Sequence, residues 1–285
     1  MHPLNKKASI HSWILEHHRQ LNEAVRRRLP ESQLRSNAIL RQQADVMVRL
    51  SRISLAYHVG WNSLDDGRRS AACRFEWARL QMFMAAEIEP ILRHSDRQFF
   101  HVTVADKRWR VAPSIATRAS FDAVRRKVRS SIQKLRDEGY NPIFVAAFEM
   151  SGDRNLRNDY AFEPHVHILI GGVPELALKG AFQVRLPRAS KGRDKPLRVV
   201  DVPTDQLGYL LGYLTKMKPQ DRVQYISKGR KNRNTNRMPP AEADHWLRCM
   251  ATMPIAQTIQ FGGFAKPVTS RFSHLEMATI IGDLK

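Results

Sequence analysis

The sequence predicts an α+β fold in which helices flank a central antiparallel sheet and a helical extension precedes that sheet. Up to about residue 95, apolar residues recur at helical spacing. From Phe99 onward, apolar runs of strand length are interrupted by one long amphipathic pattern. The predicted order of strand, helix, strand, strand, strand and helix favours an antiparallel sheet. The chain has 285 residues, of which 42% are hydrophobic, so it can form a buried core and either one large domain or one domain with extensions.

The N-terminal part is predicted to be helical in successive segments. Pro30 ends the first segment, Gly60 breaks the second, and the third extends from about Arg74 to Ile88, before Pro90. The third segment is rich in aromatic and methionine side chains that we expect in the core, namely Phe75, Trp77, Met82 and Phe83.

The central part contains the predicted sheet. The predicted strands are Phe99 to Val104, Ile143 to Met150, Pro164 to Ile170 and Leu197 to Val202. An amphipathic helix is predicted from Ser120 to Arg136, and a polar connection from Ser151 to Phe162. A second helix is predicted to follow Val202.

The sequence divides into three predicted regions: an accessory helical region 1–95, a core 96–218 and a basic C-terminal extension 219–285. The extension begins with an expected exposed loop containing Arg222, Lys228, Arg230, Lys231, Arg233 and Arg237. Residues 257–264 are predicted to form a final strand or turn.

Charge and composition indicate the class of partner. The net charge is +20, from 47 Lys+Arg and 27 Asp+Glu, so we expect a polyanion such as nucleic acid. Further basic residues expected to contact phosphates are Arg185, Arg188, Lys191, Arg193, Lys195 and Arg198.

The two cysteines are far apart and form no disulfide framework, which fits a reducing cytoplasm. No apolar run is long enough to span a membrane and no secretory signal is recognisable, so no membrane association is expected.

Two histidines flank one apolar residue in the strand Pro164 to Ile170. Alternate side chains of a strand point to the same face, so His165 and His167 would lie side by side. Two imidazoles supply half of a metal site. For a third ligand we expect Glu149, which an antiparallel hairpin would place across from one of these histidines. Glu163 is the alternative if the strand begins early enough, although Pro164 would disturb its regularity.

Tyr209, Tyr213 and Lys216 fall at positions i, i+4 and i+7 of the helix predicted to follow Val202, and they therefore share one face. A tyrosine phenolate can attack a phosphodiester, and the resulting covalent bond allows later rejoining. Lys216 could stabilise the phenolate or contact the phosphate. Tyr213 is therefore the expected primary nucleophile and Tyr209 the second. A one-tyrosine enzyme with Tyr209 as a packing residue is the alternative.

Together, the strand with His165 and His167 and the helix with Tyr209, Tyr213 and Lys216 resemble the HUH endonuclease superfamily. Within it, the paired tyrosines resemble the two-tyrosine rolling-circle replication initiators, or Rep proteins, of phages and plasmids. The resemblance covers about residues 96 to 218. Phe99-Phe100-His101-Val102-Thr103 partly resembles the first motif of the family, with His101 where threonine is usual. An ordinary core strand is the alternative interpretation; if His101 faces the site, it could contact DNA or the metal.

The resemblance implies a nickase that uses a divalent metal, Mg²⁺ or Mn²⁺, to cut single-stranded DNA at a replication origin. It implies a 5′-phosphotyrosine intermediate, tyrosines that act in turn, and a carboxylate at the position of Glu149 in the metal triad. The sequence has no Gly-x-x-x-x-Gly-Lys-Ser/Thr loop, so no nucleotide cofactor is expected and a helicase of the bacterial host would separate the strands.

Other functions remain compatible with the sequence. A transposase or relaxase of the same superfamily would use the same chemistry. A non-catalytic basic single-strand binding protein or regulator would need neither tyrosine. A structural zinc site built on His165 and His167 is a further alternative.

Overall fold

The chain forms an α+β structure around one mixed sheet. The computed structural model describes residues 71, 72, 77, 80, 83–184, 196–216, 220–227 and 230–264, apart from the side chains of residues 85, 86 and 230–233. Most of the predicted accessory region 1–95 lies outside the described residues. So do Lys228 of the predicted basic loop and five of the further basic residues expected to contact phosphates, namely Arg185, Arg188, Lys191, Arg193 and Lys195.

The seven strands lie in the order β4-β1-β3-β2-β5-β6, and β7 pairs with β2. Their bounds are β1 Phe99–Ala105, β2 Ile143–Arg154, β3 Tyr160–Gly171, β4 Leu197–Val202, β5 Gln220–Ser227, β6 Arg230–Arg237 and β7 Ile259–Gly262. All pairings are antiparallel except that of β5 with the last residues of β2. The expectation of a wholly antiparallel sheet is therefore wrong at this edge.

The described helices lie around the sheet. They are α1 Glu89–Arg93, which continues a π-helical turn Met84–Ile88, α2 Asp122–Asp137, α3 Glu175–Phe182, α4 Leu207–Leu214 and α5 Pro240–Ala251. Helix α2 is amphipathic as predicted, and its buried residues include Val124, Val128, Ile132 and Leu135. The sequence prediction did not include α3. The helix predicted to stop before Pro90 continues to Arg93, because proline is tolerated in the first turn of α1.

The two faces of the sheet differ in polarity. One face is apolar and includes the buried residues Val102, Val104, Phe148, Val166 and Ile168. Helix α2 lies on this side, where the Arg125 guanidinium is 5.6 Å from the centre of the Phe148 ring. The opposite face has polar residues on its central strands, and α4 packs against β3 there. The apolar face supplies the core, so the polar face is available for a site.

Strands β2 and β3 form a longer hairpin than predicted. The segment Ser151 to Phe162, predicted as a polar connection, continues both strands, and Arg154 pairs with Tyr160 in the register. A buried ion pair between Asp153 and Arg110 neutralises the charge of Asp153 within the extension. Pro164 is tolerated because β1 ends opposite His165, so β3 has lost that neighbour at Pro164.

The predicted basic loop is also wrong for residues 222–227 and 230–237, which form β5 and β6. Their register runs from Gln220 opposite Arg237 to Ser227 opposite Arg230. The final strand expected within residues 257–264 is confirmed as β7. Strands β5 to β7 all join the sheet of β1 to β4, whereas the division into three regions stays a prediction. No helix among the described residues is both long and apolar enough to cross a membrane.

Candidate metal centre and tyrosine helix

The central strands bring two histidines and one carboxylate together on the polar face. Glu149 of β2 lies directly opposite His165 of β3 in the register, and His167 is two residues farther along the same face. The Glu149 Oε2 atom is 3.8 Å from His165 Nε2 and 3.9 Å from His167 Nε2. One ligand atom from each residue lies within 4.8 Å of the others, so the group could hold a metal ion.

Neighbouring groups orient both imidazoles. The Nδ1 atom of His165 is 3.0 Å from the backbone carbonyl of Glu163, which can only accept, so Nδ1–H donates. This tautomer leaves the Nε2 lone pair of His165 facing Glu149. The Nδ1 atom of His167 is 3.0 Å from Thr103 Oγ1 and 3.1 Å from His101 Nε2. Both rings therefore have Nδ1 engaged and Nε2 directed toward the carboxylate, as metal-binding histidines do.

The group of Glu149, His165 and His167 suits a metal ion because two of its buried atoms lack hydrogen-bond partners. Within the described part of the chain, His167 Nε2 and Glu149 Oε1 are buried and have no hydrogen-bond partner. Such groups are rare in folded proteins because each carries a desolvation penalty. A cation coordinated by the two imidazoles and the carboxylate would satisfy both atoms.

Burial keeps the histidines neutral. Burial is the main cause that lowers the pKa of His165 to about 3, and the charge of Arg222 adds to it. Burial also lowers the pKa of His167 well below its ordinary value, and that of His101 to about 4. Neutral imidazoles retain the lone pair that a metal requires. Burial raises the pKa of the Glu149 carboxyl, and the nearby Lys216 ammonium opposes this.

The tyrosine helix α4 places Tyr213 beside the histidines. The centre of the Tyr213 ring is 5.3 Å from that of His167 and 6.1 Å from that of His101. The Lys216 Nζ atom lies 3.3 Å from the centre of the Tyr213 ring and 3.4 Å from Glu149 Oε2. Lys216 therefore joins the tyrosine to the carboxylate of the candidate metal centre.

Lys216 reaches this position from outside the helix, contrary to the prediction that it lies on a helical face. Helix α4 ends at Leu214; Thr215 leaves helical geometry, and both its backbone N–H and its hydroxyl donate to the Leu211 carbonyl. The backbone N–H of Lys216 still donates to the Tyr213 carbonyl, at 3.3 Å. This tight turn brings the lysine back over the tyrosine ring.

Tyr209 is placed differently from Tyr213. Tyr209 is 42% exposed, whereas Tyr213 is partly buried against the core. Among the described residues, ring contacts join Tyr213 but not Tyr209 to the histidines. Tyr209 is therefore open to solvent, one helical turn from Tyr213.

Glu163, the alternative third ligand, lies outside the ligand group. Its carboxylate is between two guanidinium groups, with Oε1 3.9 Å from Arg110 Nε and Oε2 3.8 Å from Arg222 Nη1. It shares the face of His165, as the sequence suggested, but it faces cations instead of the imidazoles.

Sequence reasoning gave no role in the site to Thr103 or Arg110, and it expected Arg222 only among the phosphate-contacting residues of the basic extension. Thr103 could have been found, since strand alternation places it on the face of His101. Arg222 was expected in an exposed loop, yet its side chain is only 22% exposed and its Nη2 is 3.4 Å from His165 Nε2. No local pattern indicates this, because the position depends on the parallel pairing of β5 with β2. Arg198, expected to contact phosphates, lies exposed on β4 opposite Thr103.

No protein-family model, curated protein or solved structure matches this chain.

Proposed function

We propose that the protein is a metal-dependent enzyme that nicks and rejoins single-stranded DNA through a tyrosine nucleophile, in the manner of HUH endonucleases. The observation that supports this most directly is the convergence of Glu149, His165, His167, Tyr213 and Lys216 on one face of the sheet. A ligand group, a nucleophile and a cation are the components that phosphoryl transfer to tyrosine requires.

In this proposal His165, His167 and Glu149 hold Mg²⁺ or Mn²⁺. The bound ion would polarise the phosphate oxygens and offset the negative charge that develops during the reaction. Thr103 and His101 keep the His167 ring in its orientation through Nδ1, and the Glu163 carbonyl does the same for His165.

Tyr213 performs the chemical step. Its Oη atom attacks the phosphorus and forms a phosphotyrosine bond, and the bond between phosphorus and the 3′-oxygen breaks with its electron pair remaining on that oxygen. The proton lost by the tyrosine hydroxyl is balanced by one gained by the 3′-oxygen. Lys216, beside the Tyr213 ring, stabilises the negative charge of the attacking oxygen. Attack by a free 3′-hydroxyl on the phosphotyrosine reverses these changes and rejoins the strand.

The exposure of Tyr209 suits a second nucleophile that acts on a later strand. Such alternation would support rolling-circle replication of a phage or plasmid in the bacterial cytoplasm, with a host helicase as partner. Transposition or plasmid transfer by a related enzyme would use the same site.

The test is a covalent adduct. The protein would be incubated with labelled single-stranded DNA from its own replicon and Mn²⁺ or Mg²⁺, then denatured and separated by size. We expect a labelled adduct that Tyr213→Phe abolishes and that Tyr140→Phe, a matched change at the end of α2, leaves intact. An adduct that survives in Tyr213→Phe but not in Tyr209→Phe would transfer the primary role to Tyr209. Strong binding without any adduct would refute the enzymatic proposal in favour of a non-catalytic DNA-binding protein.

A further inference from the structure

Arg222 lies beside His165, one of the candidate metal ligands. Its Nη2 atom is 3.4 Å from His165 Nε2, the nitrogen that faces Glu149. Because the Nδ1 atom of His165 already donates to the Glu163 carbonyl, its Nε2 has a lone pair and can only accept from Arg222. Arg222 therefore donates toward the same lone pair that a metal ion would take.

The surroundings fix Arg222 in this position. Its Nη1 atom is 3.8 Å from the buried Glu163 carboxylate, which also faces Arg110. Asp153, which pairs with Arg110, lies directly opposite Arg222 in the register of β2 and β5. The guanidinium is therefore held beside His165 by backbone pairing and by a shared carboxylate.

The charges around the site require an anion once a metal is bound. Lys216 and Arg222 both act electrostatically on Glu149 and on both histidines. The three ligand residues supply a single carboxylate, since the imidazoles are neutral. Glu149 faces Lys216 and Glu163 faces Arg222, so these two carboxylates already offset the two cations. The charge of an added divalent ion would then be the excess, which a phosphodiester would offset.

We propose that Arg222 binds a phosphate oxygen of the DNA strand at the metal centre, so that metal and phosphodiester binding depend on each other. With a metal bound at the His165 lone pair, the Arg222 N–H group would lack this acceptor, and a phosphate oxygen of the substrate could replace it. The planar guanidinium suits this role because it can donate two parallel hydrogen bonds to a phosphate. The inference rests on the proposed function, and it assigns Arg222 to the DNA contact at the reacting site instead of to general backbone binding.

Coupling of this kind is reciprocal. If the oligonucleotide raises the affinity for the metal by some factor, the metal raises the affinity for the oligonucleotide by the same factor. The experiment measures Mn²⁺ affinity by titration calorimetry, with and without a single-stranded oligonucleotide from the replicon. A Tyr209→Phe, Tyr213→Phe background prevents consumption of the DNA. We expect the oligonucleotide to raise Mn²⁺ affinity by about 5-fold or more.

Arg222→Gln should lower the ratio of Mn²⁺ affinities with and without DNA, leaving only the part due to direct contact between the metal and the phosphate. Mn²⁺ affinity without DNA should stay equal or increase, because a neighbouring cation is gone. A purely structural role would instead weaken Mn²⁺ binding in the absence of DNA. Arg154→Gln is the matched control, since Arg154 is a partly buried arginine at the end of β2 that pairs with Glu242. It should leave the ratio unchanged.

An unchanged ratio in Arg222→Gln would overturn the inference, as would an equal loss in Arg154→Gln. If Arg222→Gln does not fold, Arg222→Lys provides the test. Lysine keeps the positive charge but cannot donate two parallel hydrogen bonds, so this variant should retain only part of the coupling. Failure of the proposed function is distinct, since the chain with both tyrosines would then bind no Mn²⁺ or form no adduct. A protein that binds Mn²⁺ and forms the adduct, but shows the same ratio without Arg222, refutes this inference alone.

Discussion

At the residue scale, the candidate metal centre depends on histidines that are buried but uncharged. His165 and His167 are 1% and 4% exposed, and their ligand nitrogens face one carboxylate. Protonation of either ring would place a positive charge in a site already close to Lys216 and Arg222. The same burial that prepares the rings for a metal therefore makes their protonation unfavourable.

This arrangement predicts that the metal-free protein loses stability as the pH falls. The unfolded histidines have a pKa of about 6.5, whereas the folded pKa is about 3 for His165 and about 4 for His101. Unfolding then takes up protons, so the free energy of unfolding is highest above the unfolded pKa and falls toward the folded pKa. Each such imidazole contributes about 1.4 kcal/mol per pH unit in this window. The raised pKa of Glu149 changes the free energy of unfolding in the opposite direction, but this single carboxyl is outweighed by the three histidines with lowered pKa, His101, His165 and His167.

Urea unfolding in EDTA, between about pH 7 and about pH 5, measures this dependence. His101→Gln should make the slope shallower because one depressed pKa is removed. The control is His94→Gln, since His94 is exposed and should leave the slope unchanged. Stability that is constant or rises on acidification would contradict the prediction.

Residues of the site differ in how far the sequence reveals them. His165, His167 and Glu149 could be predicted because strand alternation and a hairpin determine their positions. Arg222 could not be predicted. Its stretch of charged and amide residues is typical of a loop, and only the long-range pairing of β5 with β2 buries it.

At the element scale, the tyrosine helix is positioned by close contact with α1. A Cβ atom built on Gly208 of α4 would lie 2.7 Å from the carboxylate oxygens of Glu89, which is buried and paired with Arg93. Gly208 directly precedes Tyr209. The absence of a side chain there lets α1 approach α4, and thereby helps to set the position of both tyrosines.

Gly208→Ala should therefore lower stability and reduce adduct formation. Alanine favours the helix by about 1 kcal/mol, but its methyl group must displace the buried Glu89, and overpacking of this kind typically destabilises by about 1–3 kcal/mol. Gly180→Ala in α3 is the matched control, because a Cβ atom there meets nothing within 4 Å. It should raise the free energy of unfolding by about 0.5–1 kcal/mol. Urea unfolding and the adduct assay measure both variants, and equal stabilisation of the two would disprove the close packing.

Element boundaries were predicted best where apolar periodicity dominates. Helix α2 and strand β4 agree closely with their predicted ranges, because α2 has the regular apolar face of an amphipathic helix and β4 is a short run rich in valine and leucine. The extension of β2 through Asp153 was missed because a charged residue enters the sheet only with a partner, and Arg110 is more than 40 residues away. Helix α4 ends before Lys216, and no glycine or proline stands at Thr215 to indicate that end in the sequence.

At the scale of the whole molecule, the residues that give the chain its positive charge differ from the residues that form the candidate metal centre. The net charge of +20 comes from basic residues throughout the sequence, whereas the candidate ligands are two neutral histidines and one carboxylate. Binding of a nucleic acid should therefore depend mainly on the basic residues, and cleavage on the site. A single assay that measured only DNA affinity would not reveal the chemistry.

The last prediction separates these two properties. EDTA, His165→Ala or His167→Ala should abolish cleavage. The dependence of DNA affinity on salt should change little, because the slope of log K against log[salt] is about −0.7 for each phosphate neutralised on a single strand. Affinity itself should fall by no more than the coupling between metal and phosphate. Arg237→Gln gives the converse control, because Arg237 is exposed on β6. Its loss should make the slope of log K against log[salt] shallower by about 0.7. Cleavage at saturating DNA should stay intact. Fluorescence anisotropy across a salt series, combined with the adduct assay, measures both quantities, and cleavage that persists in EDTA would show that the ligand group does not serve a metal-dependent reaction.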